Sequence, residues 1–292
     1  MRIDLRGKPA SELSPGELAG VLPRAELDVD AALAAVRPII EDVRRRGADA
    51  VREHTAHFDG VDLATSRVPR SALAAALAGL DPAVRAALEE CARRARLVHE
   101  AQVPPDSVTT VAPGSTVTER YVPVRRAGVY APGGLVTYPS SVVMNVIPAQ
   151  VAGVDEIAVV SPPQADQGGL PAAAVLAACE LLGITEVHAA GGAQAMAMLA
   201  YGTADCAAVD VISGPGNVYV AAASTGVTRS ASAGSVVISR QPARGSCSAW
   251  ATRSATRKAG SAVSSAMMAI SVGPASASTA TWPLSRRLAA AT

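Results

Sequence analysis

Three glycine turns carry the residues most able to do chemistry: "YAPGG" (130–134), "AGGAQA" (190–195) and "SGPGN" (213–217). Glycine lets a backbone approach a ligand closely, and the free N–H groups at a helix start favour an anion such as a pyrophosphate. The side chains in these turns suit recognition. Gln194 and Asn217 are amides that can fix an orientation, and Tyr130 offers an aromatic face with a hydroxyl. Structural roles compete with this reading, namely helix capping for Asn217 and core packing for Tyr130. None of the turns is a GxGxxG fingerprint, and "AGGAQAM" lacks the GK[ST] of a P-loop.

The elements around these turns alternate between strand and helix. "EIAVVS" (156–161), "EVHAAG" (186–191) and "AVDVISG" (208–214) read as short apolar strands. "SSVVMNVIPAQVAGV", "PAAAVLAACELLG" and "AQAMAMLAYG" read as helices, the first expected to end or kink at Pro148. Such alternation implies a parallel sheet with helices on its faces, whose ligands bind beyond the carboxyl ends of the strands. All three turns fall on that one edge, which predicts a dinucleotide-sized ligand.

The predicted fold class is therefore α/β: a Rossmann-like parallel-sheet domain over 126–223, preceded by an incomplete helix-rich α/β domain over 24–125. Residues 1–23 read as a leader, with Ser14 and Pro15 positioned to start a helix. Two amphipathic helical runs fill most of 24–101, with Gly47 and Gly60 as stops. "SVTTVAPGSTVTERYVPV" reads as two strands around Pro113–Gly114.

Bulk composition narrows the class. The 292 residues are 49% hydrophobic, 17% charged and only 3% aromatic, which is globular with an aliphatic core. Cys91, Cys179, Cys206 and Cys247 form no CxxC pair, so neither a zinc knuckle nor a disulfide framework is indicated. "MRIDLRGKPA" lacks the apolar run of a signal peptide, and a cytoplasmic location is expected. The uncharged stretch 259–285 has the length of a membrane span. Gly273, Pro274, Pro283 and its many Ser and Thr residues argue against one.

Charge is divided unevenly along the chain. All 25 acidic residues precede Ser224, where the balance is −7, whereas 224–292 carries +8. The basic residues there are scattered among 15 Ser and 16 Ala rather than clustered, so neither nucleic acid nor membrane is expected as a partner. So few large apolar residues cannot readily offset the entropy of ordering, and this tail is expected to be disordered. Within it "SVVIS" is strand-like and "SAVSSAMMAIS" weakly helical. Arg, Ala, Ser, Gly and Pro are what GC-rich coding DNA yields out of frame, so a change of reading frame near residue 224 is expected.

The glycine turns, with "RRAGVYAPGGLVTYPSSVVMNVIPAQVAGVDEIAVVSPP", "AGGAQAMAMLAYGT", "VDVISGPGNVYVAAA" and "HTAHFDGVDL", resemble histidinol dehydrogenase over residues 1–223. The resemblance implies an NAD-dependent, zinc-containing homodimer that oxidises L-histidinol to L-histidine in two hydride transfers. It places Tyr130, Gln194 and Asn217 on NAD-contacting positions. The family's glutamate–histidine acid–base pair lies downstream of the GPGN turn. So do its zinc ligands, a glutamine, an aspartate and two histidines. Here no SQAEHD-like motif follows Ala223, and His54, His57, His99 and His188 all precede it, so no catalytic or metal residue is assigned. His188, inside a strand, reads as a satisfied core histidine. A truncated, inactive chain is expected; a non-catalytic NAD-binding remnant and a related small-alcohol or sulfonate-diol dehydrogenase are the alternatives.

Overall fold

A computed structural model describes residues 29–133, 137–230, 252–257 and 264–267. Four helices come first: α1 (Val29–Arg46), α2 (Ala48–Asp59), α3 (Arg70–Ala78) and α4 (Pro82–Glu100). The α1 face Ala32, Val36, Ile40 and Val43 is buried at the three-to-four spacing of an amphipathic helix. Helix α4 starts as its sequence dictates, with Pro82 at the first position and Asp81 accepting the Ala83 and Val84 N–H groups at 2.7 and 3.2 Å. The hairpin β1 (Ser107–Ala112) and β2 (Ser115–Val122) turns at Gly114, whose φ of 75° suits glycine.

The second half alternates as expected: β3 (Arg126–Tyr130), α5 (Pro139–Val151), β4 (Glu156–Ser161), α6 (Ala173–Leu181), β5 (Glu186–Ala189), α7 (Gly192–Tyr201), β6 (Val211–Ser213) and α8 (Val218–Ser230). The strands form one parallel sheet in the order β5-β4-β3-β6. Its two faces alternate with the period of two of a pleated strand. Val129, Val159 and Val187 face α5 and α6, with Leu73 of α3 and Leu88 of α4 in the same cluster. Tyr130, Ala158, Val160 and Ile212 face the other way, toward α7, α8, α1 and α2. The helices before residue 126 thus pack against the layers of this sheet.

Two expectations change. Pro148 does not end α5 where it stands, because it falls in the last turn; the helix continues to Val151 and the Ala152 N–H bonds the Pro148 carbonyl at 2.9 Å. Within 261–271 the described element is not a helix but a strand, β8 (Ser264–Met267). It pairs antiparallel with β7 (Thr252–Arg257), which in turn pairs with β2. The backbone of Ser264–Met267 is satisfied by the neighbouring strand instead of by its own turns. The strand expected at 235–239, the leader 1–23 and the rest of the expected disorder lie outside the described residues.

Helix α8 crosses residue 224 without interruption, with Ser224 and Val227 both buried. A Cβ at Gly226 would meet Ile40 Cδ1 at 2.8 Å and Leu33 Cδ1 at 3.3 Å, so α1 lies close against this helix.

At the amino ends of the strands, Arg126 is 4% exposed and sits at the centre of a hydrogen-bond network. Its guanidinium donates to Glu156 at 2.7 Å, Glu186 at 2.6 Å and the Ala207 carbonyl at 3.3 Å, while its N–H donates to Asp210 at 2.9 Å. Burial pushes the Glu186 carboxyl up, but hydrogen bonds from His188 and Arg126 overcome this and hold it at about 2. Arg126→Met should therefore cost roughly 3–5 kcal/mol in urea unfolding, because it strands a partly buried carboxylate; a loss under about 1 kcal/mol would contradict this account. The Glu186 contribution is fully present above its unfolded value near 4.5 and is lost as pH falls toward 2. Glu186→Gln should flatten that acid limb in a pH series of thermal melts. Gly214→Ala should lower the Tm by several degrees, since φ is 145° and the new Cβ would overlap the Tyr130 carbonyl oxygen.

Candidate functional site

Register brings the three glycine turns to one line. Val129 is level with Val159 and Ser213, and Ser161 with Ala189, so β3, β4, β5 and β6 end together. Beyond that line lie the turn after Tyr130, the Gly191–Gly192 turn and the Gly214–Asn217 turn. Tyr130 joins all three. Its hydroxyl accepts from the Gly192 N–H at 3.3 Å, and its carbonyl presses against Gly214. Burial raises the phenol's pKa, the Gly192 N–H opposes that, and the Asp59 charge adds to the rise.

The other two expected residues occupy the heads of helices. Gln194 is in the first turn of α7, 2% exposed, with Oε1 close enough to Gly192 that a Cβ there would lie 2.9 Å away. Asn217 stands before α8, and its Oδ1 accepts from the Val220 N–H at 3.0 Å. The structural roles weighed for Tyr130 and Asn217 are thus present: one is packed, the other caps. Capping one first-turn N–H leaves others that a helix cannot satisfy internally. The heads of α7 and α8 therefore offer donors and a positive dipole end at the same sheet edge.

Several residues at this edge were not singled out from the sequence. Ser213 Oγ donates to Asn145 Oδ1 at 2.6 Å, and Asn145 Nδ2 donates to the Ser141 carbonyl at 2.7 Å, locking α5 to the end of β6. Gln164 Nε2 donates to the Gly133 carbonyl and fixes the turn after β3. Ser161 Oγ is fully buried without a hydrogen-bond partner, and a Cβ at Gly133 would lie 2.8 Å from it. Thr55 Oγ1 and Asp59 Oδ2 on α2 are likewise buried and unpartnered. Their spacing with Val51, four residues apart each time, was the available signal for one inward helix face.

His54, His57 and His188 have contacts within the protein. His188 is fully buried in β5, 3.0 Å from Ser66 Oγ and 3.1 Å from Glu186 Oε1. His54 contacts Asp42 at 3.2 Å and stacks on Phe58, and His57 meets the edge of the same ring. Among the described residues, Glu186, His188 and Cys206 form the grouping with metal-ligand chemistry, their atoms within 4.8 Å of one another. The Arg126 guanidinium lies 2.6 Å from Glu186 and 3.9 Å from Cys206, so a cation already fills that corner. These residues do not fit a zinc ion.

A family model for histidinol dehydrogenase matches residues 22–238. The match therefore runs past the change of composition at residue 224. The chain is 60% identical over 222 residues to histidinol dehydrogenase from Thermobifida fusca, covering 76% of this chain and 49% of that protein. It is 55% identical over 227 residues to the Mycobacterium tuberculosis H37Rv protein of the same name, covering 76% and 50%. The crystal structure of histidinol dehydrogenase from Elizabethkingia anophelis aligns with a TM-score of 0.69 at 28% identity, over 79% of this chain and 52% of that one. The chain spans about half the length of the curated relatives it matches. On the extent of the family match and the identity to these relatives, the chain belongs to the histidinol dehydrogenase family.

Proposed function

We propose that the chain binds NAD at the carboxyl edge of the β5-β4-β3-β6 sheet, as the cofactor-binding part of a histidinol dehydrogenase of histidine biosynthesis. The observation that carries this reading is the convergence at Tyr130. One side chain and its carbonyl tie together three glycine turns and the head of α7. The donor set fits the group, because α7 and α8 both begin at this edge and can receive a pyrophosphate. Gln194 and Asn217 would orient it through their amides, and Tyr130 would lie against a ring. When bound, NAD supplies the hydride acceptor for an alcohol such as L-histidinol.

The same reading separates binding from turnover. Residues 224–292 contain no histidine and no acidic residue, so they supply neither a glutamate–histidine pair nor the aspartate and histidines of a zinc site. The 292-residue polypeptide is thus proposed to bind NAD without oxidising histidinol. Cys91, Cys179 and Cys206 are free thiols, which supports a reducing cytoplasm. No single described helix is long and apolar enough to cross a membrane.

Calorimetric titration of the purified polypeptide with NAD should give saturable binding. Asn217→Asp should weaken it at least about tenfold, a loss of roughly 1.4 kcal/mol, by placing a negative charge beside the phosphates. This variant keeps the cap on Val220, so its Tm should stay near that of the parent. Unchanged affinity would remove Asn217 from the site. Mixing the polypeptide with histidinol, NAD and zinc should give no rise in NADH absorbance; a steady rise would overturn the inactivity proposal. The expected change of reading frame is tested by the coding DNA. One alternative frame after codon 223 should encode a lysine-led, acidic, SQAEHD-like continuation, and its absence from both would refute the idea.

A further inference from the structure

Helix α2 turns one face inward, and that face becomes polar toward its carboxyl end. Val51 is 2% exposed and Thr55 1% exposed, and Asp59 follows four residues later as the last residue of the helix. Thr55 Oγ1 and Asp59 Oδ2 are both buried without a hydrogen-bond partner. Leaving a hydroxyl and a carboxylate oxygen unpaired away from water is costly, so two on one face call for a donor. Burial accordingly pushes the Asp59 carboxyl up to about 6.

The position of this face ties it to the sheet edge. Helix α2 packs on α7, the helix whose head Tyr130 contacts, and the Asp59 charge acts on the Tyr130 phenol. Beyond Gly60 the chain passes the loop that follows β4, where a Cβ at Gly169 would touch Val61 and Leu63 at 2.8 Å. It then pairs with β5, Ala189 N–H donating to the Ser66 carbonyl at 2.7 Å and Val68 N–H to the Val187 carbonyl at 2.9 Å. Asp59 is therefore held at the carboxyl side by contacts on both sides of it.

We infer that Asp59, with Thr55 behind it, accepts a hydrogen bond from a ribose hydroxyl of the bound dinucleotide and disfavours a nucleotide bearing an extra ribose phosphate. This rests on the NAD reading above. A carboxylate repels the pyrophosphate, which the heads of α7 and α8 attract, so Asp59 must face a part of the ligand that donates. In a dinucleotide the ribose hydroxyls are the clustered donors. A phosphate esterified to one of them would remove a donor and set two anions against each other.

The test is calorimetric titration of the full chain, its Asp59→Asn and Asp59→Ala variants and an Asp62→Asn control, with NAD and with NADP. Asp62 is exposed and changes the net charge equally. The parent should prefer NAD by at least about tenfold. Asp59→Asn should reduce that preference to about threefold or less, weakening NAD and sparing or strengthening NADP. Asp59→Ala should lose more NAD affinity, and Asp62→Asn should leave both affinities unchanged. Thermal melts of the variants identify any loss from unfolding, and Asp59→Asn, which keeps the side-chain shape, then decides. An unchanged NAD-to-NADP ratio in a folded Asp59→Asn variant overturns the assignment while the NAD reading stands. A parent that binds neither nucleotide overturns both.

Discussion

One buried guanidinium organises the sheet. Arg126 opens β3; its guanidinium pairs with the first residue of β4 and the first residue of β5, and its backbone N–H with an aspartate just before β6. Four parallel strands cannot be joined by tight hairpins, because each must be reached through a helix. Their register has to be set at a common point, and a rigid fork with five donors can serve several acceptors at once. His188 and Ser66 extend the network to the segment that leaves α2, so the helices before residue 126 are tied to the same knot.

The two edges of the sheet solve different problems. Charge closes the amino edge, and arginine fills the corner between Glu186 and Cys206 of the metal-ligand grouping. Close backbone approach shapes the carboxyl edge, where Gly214 meets the Tyr130 carbonyl and Gly191 lies under Pro162. Those glycines are explained by contacts within the protein, and they bring the heads of α7 and α8 level with each other. Orphaned oxygens at Ser161, Thr55 and Asp59 add to the polarity of the region. Tyr130 and Asn217, proposed above as ligand contacts, each have a structural role there as well.

How much could be read in advance depended on how local the cause was. Strand β4, helix α7 and the Gly114 turn follow from periodicity and turn chemistry within a few residues. The carboxyl edge was legible because turns at strand ends share a side by topology alone. Arg126 was not, since nothing near it in sequence announces that Glu156, Glu186 and Asp210 will converge on it. Asp59 was hidden for another reason: a single carboxylate on a helix looks like a solvated face until its neighbours are placed. Pro148 shows the limit of a local rule, because its effect depends on how many turns remain after it.

The seating of α1 against α8 has a consequence for how the molecule comes into being. The first described helix lays Leu33 and Ile40 beside Gly226, in the last helix of the parallel sheet. On a ribosome the apolar stripe of α1 emerges early and waits, without its proper cover, until nearly all of the described chain has followed. Closing that contact late in synthesis raises the contact order, slowing folding and prolonging exposure of a sticky surface. The final turns of α8 thus act as a latch on material made long before, and Gly226 leaves the space for it to shut.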